Sequence, residues 1–407
     1  MIPFSILRAD FRRLWAGAFI LSILIMAATA LNITVSLEER ALRLGSARAA
    51  EPFDLIVGAP GSETQLVLSS VFLQPALLPL LPAQYSQRLE QHPLVAWSAP
   101  LAFGDFYLGM PIIGTTGTLI TQGGQRPLAA GHLFSARFEA VVGFSTGLKV
   151  GDTIKPLHGQ FGQEGAHAHD KIIYTVVGML PKQNNAWDKA ILVPIETIWH
   201  VHDIEEDSRH DDDDPDIAVE DHPYQNLAHK TGVSAIVVKP KSVAGAYQLR
   251  TQFRSGNSIA VFPAEVLTRL YGLLGNVRHL LSVIAWGTQL LVGLCVILVA
   301  VVHVNQRKRQ IAALRAFGAP RHALFIVVWF EFVTLVLAGI AAGMLLGYWA
   351  AQIISTQIAA QSGFALPVEM ATEDWWTMLQ WLVIATAASL VPAALIYRHS
   401  PAQALRD

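Results

Sequence analysis

From Leu281 to Val304 the chain reads LSVIAWGTQLLVGLCVILVAVVHV, without one Asp, Glu, Lys or Arg. A bilayer core takes about 20 consecutive apolar residues in a helix, so this run is read as a membrane span. The residues that follow give it a direction. The 305–322 loop carries Arg307, Lys308, Arg309, Arg315 and Arg321 and no acid. Lys and Arg collect in the short loops on the cytoplasmic side, which places this loop inside.

Working outward, three further runs have the same character. Leu14 to Val35 is uncharged, Ala323 to Ala350 is interrupted only by Glu331, and Trp376 to Tyr397 follows an aromatic cluster of Trp375, Trp376 and Trp381. Such a cluster suits a membrane interface. Ala28-Thr29-Ala30 resembles a signal-peptide cleavage site, but the first apolar run is long for a signal core. Arg8, Arg12 and Arg13 precede the first run, Arg398 and Arg406 follow the last, and the 351–375 loop holds Glu369, Glu373 and Asp374 with no base. Every short loop therefore gives the same orientation. Both ends and the 305–322 loop are expected on the cytoplasmic side, with 36–280 and 351–375 opposite. Residues 1–13 alternate apolar and basic positions at helical spacing, as an amphipathic surface helix would, and a plain positive flank reads the same residues.

Composition agrees. Mean hydropathy is +0.40, and only 15 % of the 407 residues are charged, against about 25 % in a soluble domain. A net charge of -2 gives nucleic acid no electrostatic footing. The single cysteine, Cys295, lies inside the 281–304 run, where it reads as a small hydrophobe.

Between the first and second spans the chain reads as an ordinary folded domain. Phe53–Val57, Ile172–Val177, Ile191–Pro194 and Ala235–Val238 have the look of strands, Ser62–Phe72 and Ala244–Phe253 of helices, with Gly and Pro at the joins. The expected fold class is an α-helical membrane protein with four transmembrane helices, one before and three after an inserted α+β domain. Phe262–Leu280 reads as a helix that runs on into the second span.

Two groups of histidines stand out. Residues 200–222 read HVHDIEEDSRHDDDDPDIAVEDH, with four His and eleven acids. His158, His167 and His169 form the other. Acidic runs are commonly solvated loops, while imidazole and carboxylate together suit zinc and its neighbours. Neither group has the fixed spacing of a structural zinc site, so no metal ligand is assigned, and zinc contact by 200–222 stays open beside the solvated reading. No Walker A sequence, G-x-S-x-G elbow or H-E-x-x-H occurs, and no catalytic residue is assigned.

The 305–321 segment is the most informative. Ile311, Leu314 and Phe317 recur every third residue and make one apolar stripe, flanked by Arg307, Lys308 and Arg315, and Gly318 stands where a helix C-cap glycine does. A short amphipathic helix of this kind suits a groove in a cytoplasmic partner. A plain basic turn reads the same residues without a partner. In the third span Gly339, Gly343 and Gly347 repeat every fourth residue, so they share a helix face that another helix can approach closely. That face is expected to pack, with a second copy as a candidate occupant. Glu331 is costly in lipid and needs a partner or polar path.

The loop resembles the coupling segment of FtsX-like and MacB-like ABC transporter permeases, roughly R-x-R-E-I-x-x-L-R-A-L-G-A. It matches at Arg307, Arg309, Ile311, Leu314, Arg315, Ala316, Gly318 and Ala319, and departs at Gln310 and Phe317. Glu331 with its three glycines, the ending Pro401-Ala402-Gln403-Ala404-Leu405-Arg406, and Asp54–Gly58 with Glu139–Gly143 are also similar to that family. The resemblance implies a non-enzymatic permease in a bacterial inner membrane with its domain in the periplasm. It implies a cytoplasmic ATPase dimer that holds ATP and magnesium, a second copy or a paralogous permease, and a periplasmic or outer-membrane partner. Two other functions stand beside it: zinc uptake or homeostasis through 200–222, and membrane-tethered regulation of a periplasmic enzyme.

Overall fold

The computed structural model of the chain describes residues 15–158, 167–168, 172–200, 232–254, 256–306, 318, 320–388 and 390. The expected surface helix at 1–13, His169, residues 201–222, the loop residues 307–317 and the tail lie outside this set.

In chain order the elements are α1 (Trp15–Ala50), β1 (Leu55–Gly58), α2 (Glu63–Phe72), β2 (Leu81–Pro82), α3 (Gln84–Glu90), β3 (Val95–Tyr107), β4 (Met110–Thr115) and α4 (Gly117–Thr121). Then come β5 (Ala130–Gly131), β6 (Glu139–Val142), β7 (Thr153–Ile154), β8 (Leu157–His158), β9 (His167–Ala168), β10 (Tyr174–Met179), a 3-10 turn (Ala186–Lys189) and β11 (Ile191–Pro194). The last are β12 (Gly232–Val233), β13 (Ala235–Pro240), α5 (Val243–Phe253), β14 (Ile259–Val261), α6 (Pro263–Gln306), α7 (Arg321–Ser362) and α8 (Thr372–Ala388).

These fall into two units. One is α+β, built from Leu44–Gly272 and Ile358–Ala365; the other is helical, drawn from residues up to Arg43, from Leu273–Gln357 and from Leu366 onward.

The α+β unit holds a mixed sheet in the order β14-β1-β13-β3-β4-β11-β6-β10-β5, with β7 on β10, β8 on β3 and β9 on β8. Its central strands are continuous apolar runs rather than alternations, because both their faces are covered. Leu55, Ile56 and Val57 on β1 and Ile191, Leu192 and Val193 on β11 are all buried. β1 is antiparallel to both β13 and β14, whereas β11 is parallel to β4. The strand expected from Phe53 begins later. The Phe53 N–H bonds the Ala50 carbonyl at 3.0 Å, so the residue closes the turn leaving α1. α2 starts where the sequence indicated: the Ser62 hydroxyl accepts the Gln65 N–H, satisfying one of the first-turn donors that have no partner within the helix.

In the helical unit Leu21 and Ile25 of α1 pack with Val328, Phe332, Leu335, Val336 and Ile340 of α7. Further along, Ile33 and Leu37 meet Ala351 and, from α8, Met378. The outward faces are as apolar as the inner ones. Leu290 on α6 is 67 % exposed, Leu345 on α7 71 % and Trp349 69 %. A water-soluble protein does not leave such a patch uncovered; lipid does cover it. By length and composition Phe19–Ala50 and His322–Ala360 can each cross a bilayer, and α6 contains the shorter apolar stretch Trp286–Cys295.

Candidate functional site

The glycine face of α7 receives α1 of the same chain. A Cβ at Gly343 would lie 2.6 Å from the Met26 carbonyl oxygen and from Thr29 Cβ, and one at Gly347 would lie 2.7 Å from the Ala30 carbonyl oxygen. Gly339 meets Ile25 and the Ser22 carbonyl in the same way. Only hydrogen at Cα lets the two backbones come this close, and Thr34 Oγ1 completes the seam by donating to the carbonyls of Ala30 at 2.8 Å and Gly347 at 3.1 Å. Of the two occupants that the spacing left open, a helix of the same chain is the one seen on this face.

Glu331 is buried, 3 % exposed, one turn from Val328 and Leu335 of the α1–α7 core. The opposite end of the same helix packing holds the polar groups that the sequence did not join. Arg40 makes a two-pronged contact with Asp374 at the start of α8, Nη1 to Oδ2 at 2.6 Å and Nη2 to Oδ1 at 3.0 Å. Ser36 Oγ donates to the same carboxylate, and Arg40 also donates to the Glu369 carbonyl. Burial alone would raise the Asp374 carboxyl, but the Arg40 hydrogen bond, the Ala371 N–H, the Arg40 charge and Ser36 together hold it below the usual carboxylate range. Two residues before Arg40, Glu38 accepts the Ser355 hydroxyl from α7, and its burial outweighs that bond, so its carboxyl titrates above the ordinary value. The only sequence signal for this cluster was Arg40 and Asp374 standing just outside apolar runs.

In the α+β unit the first turns of α6 are gripped by ion pairs. Arg254 and Arg269 both reach Glu63 of α2, at 2.5 Å and 3.0 Å, and Arg250 of α5 reaches Glu265 at 2.7 Å. Tyr271 and Ser46 share a hydrogen bond between α6 and the end of α1. The spacing of these charges in sequence did not reveal the network.

Of the expected coupling residues, Arg307, Arg309, Ile311, Leu314, Arg315 and Phe317 lie outside the described set. Gly318 is described and has φ +92°, a left-handed turn that glycine adopts without strain. Of the histidines, β8 and β9 set His158 opposite His167, and β3 sets Asp105 opposite His158. Among the described residues no group of three His, Cys, Asp or Glu gathers to hold a metal ion.

A family model described as FtsX-like permease C-terminal matches residues 282–402. The resemblance inferred from the 305–321 loop and the chain's ending is borne out over this stretch. No curated protein matches the chain. Among solved structures, the chain is similar to the periplasmic region of MacB from Actinobacillus actinomycetemcomitans, at 9 % identity over 56 % of this chain and 98 % of that one, with a TM-score of 0.33. It is also similar to the extracellular domain of the noncanonic ABC-type transporter YknZ from Gram-positive bacteria, at 10 % identity over 51 % of this chain and 98 % of that one, with a TM-score of 0.27.

Proposed function

We propose that this chain is the permease subunit of an ABC transporter, coupling ATP hydrolysis by a separate cytoplasmic ATPase to motion of its α+β domain. The observation that carries this reading is the match of 282–402 to the FtsX-like permease C-terminal domain, because the matched stretch includes the whole basic loop. Four spans, at 14–35, 281–304, 323–350 and 376–397, would set the chain in a bacterial inner membrane with the domain in the periplasm.

In this mechanism the ATPase dimer closes on ATP and displaces the 305–321 segment. Its apolar stripe docks in the ATPase and its arginines hold the rim. α6 is uninterrupted from Pro263 to Gln306, and a continuous helix passes displacement along its axis instead of absorbing it in a hinge. The Glu63–Arg254–Arg269 and Arg250–Glu265 pairs hold its first turns to the domain it moves. Work done on the periplasmic side fits efflux, lipoprotein release or envelope maintenance. A second permease copy, or a paralogue, completes the complex. It uses a surface other than the glycine face.

The decisive test is charge reversal in the loop. Arg309→Glu with Arg315→Glu should abolish co-purification of the ATPase from membranes while the chain still inserts. Undiminished co-purification would remove the loop from its proposed role.

A further inference from the structure

We propose that residues 73–80, an exposed loop of the α+β unit, are a docking element for a basic partner polypeptide that offers an apolar groove. The loop reads Leu73-Gln74-Pro75-Ala76-Leu77-Leu78-Pro79-Leu80 and joins α2 to β2. Leu77 is 98 % exposed, and Leu80 is exposed as well.

An exposed leucine by itself means little, because folded proteins leave much apolar surface in water. This loop differs in being held at both ends. Leu73 closes α2 in the left-handed conformation, φ 54°, which a leucine rarely adopts, and the Gln74 N–H returns to the Leu68 carbonyl at 3.1 Å. At the far end Leu81 is wholly buried, and β2 pairs Leu81 with Val233 and Pro82 with Gly232. A Cβ at Gly61 would lie 3.7 Å from Pro79 Cγ, so the loop also rests on the approach to α2. Pro75 and Pro79 fix φ inside it. Leu77 is thus presented from a restrained backbone, and the ordering cost that docking otherwise carries is already met.

Charge selects the occupant. The loop itself is neutral, with no charged residue between Glu63 and Arg88. Its neighbour in space is not. Trp199 Nε1 donates to the Gly232 carbonyl at 3.1 Å, so the chain between them leaves and returns at one place. Residues 201–231 carry eleven acids against Arg209 and Lys230. That place is the foot of the loop, because Gly232 pairs with Pro82 and a Cβ on it would lie 2.6 Å from Leu80 Cβ. A partner that receives Leu77 therefore meets a strongly negative field, which favours a basic surface and speeds its approach.

Two other occupants fit less well. A second copy of this chain, docked about a two-fold axis, would set the same acidic residues against themselves, and like charges so placed are unfavourable. A stable interface also takes about 20–30 residues a side, and the loop supplies eight, which suits a transient contact. A segment that enters lipid brings Trp, Tyr, Lys or Arg to its rim, and none stands between Leu73 and Gln84.

This inference goes beyond the permease reading and does not depend on it, since the loop, its anchors and its acidic neighbour all belong to the α+β unit.

The photoreactive residue p-benzoylphenylalanine is placed at position 77 of the full-length protein in its own membranes, and the adduct formed on irradiation is identified by mass spectrometry. The polypeptide found is purified and titrated against the full-length protein in nanodiscs. The proposal expects a polypeptide of net positive charge, and Leu77→Asp should weaken its binding roughly tenfold or more. Because Leu77 is almost fully exposed, that variant leaves the fold intact. Raising the salt to about 1 M, where charges are screened within about 3 Å, should weaken binding as well. An adduct with lipid, with a second copy of this chain or with an acidic polypeptide overturns the proposal. So does the absence of any adduct, or binding that ignores either Leu77→Asp or salt.

Discussion

In the α+β unit Leu55, Ile112 and Ile191 are wholly buried, and the charged residues of α2, α5 and the start of α6 pair with one another at the surface. In the helical unit leucines stand on both sides: Leu21 and Leu335 pack inside, and Leu290, Leu294 and Leu298 project outward from α6, while Arg40 and Asp374 pair inside. The outward leucines are tolerated because the surrounding solvent differs. Water covers the first unit and drives its leucines inward. Lipid offers no such drive, so association of the second rests on close backbone approach and a few polar contacts.

Breaking the inner pair should have the largest effect. Arg40→Ala leaves Asp374 buried without its partner, and losing one member of a buried pair costs about 3–5 kcal/mol. Thermal unfolding of the purified protein in detergent measures it. The pH dependence has a fixed sign. The Asp374 carboxyl is held low in the folded protein, so the unfolded chain binds its proton first as the pH falls. The stabilisation is complete above the unfolded value, about 3.9, and is lost as the pH drops through the lower folded value. Arg40→Ala should therefore flatten the acid limb of the stability curve, and an unchanged acid limb would show that the pair contributes nothing.

Next comes the outer face. Leu290→Arg, at the middle of the 281–304 run, should raise the apparent free energy of membrane insertion by about 2.5–3.5 kcal/mol, read by a glycosylation-reporter insertion assay. Little effect would mean that α6 does not face lipid at this point.

Gly343→Val tests the backbone approach itself. Its Cβ would sit 2.6 Å from the Met26 carbonyl, a contact that backbone atoms can relieve only by moving apart. Overpacking of this kind costs about 1–3 kcal/mol, again as a lowered melting midpoint. Gly318→Ala, with no atom within 4 Å of the added carbon, supplies the comparison, since it pays only for its left-handed φ. The smallest effect belongs to the water-exposed domain. Ser62→Ala removes the cap of α2 and should cost about 1 kcal/mol without altering the helical unit.

The membrane character of the chain was legible because it is written locally. A run of apolar residues and a cluster of arginines each carry their meaning within about 20 residues. The central strands were legible for a similar reason: β11 and β13 are short apolar runs between turn residues. The edges of elements were less so. Phe53 reads as strand but is drawn into the turn after α1 by the Ala50 carbonyl, a choice that depends on where α1 stops. The Arg40–Asp374 pair could not be read at all, since its members are 334 positions apart.

The sequence by itself determined that the chain carries apolar runs long enough to cross a membrane, that Lys and Arg collect in some of its short loops and acids in another, that an α+β domain follows the first run, and that Gly339, Gly343 and Gly347 share one helix face. Hydropathy, charge placement and helical periodicity are properties of consecutive residues, and they need no fold to be meaningful. What occupies that glycine face was decided only by tertiary structure. Spacing fixes that the three glycines form a surface able to receive a helix, but α1 and another molecule satisfy that spacing equally well. The fit of Ile25, Thr29 and Ala30 against it, and the Thr34 hydroxyl across the seam, give the place to α1.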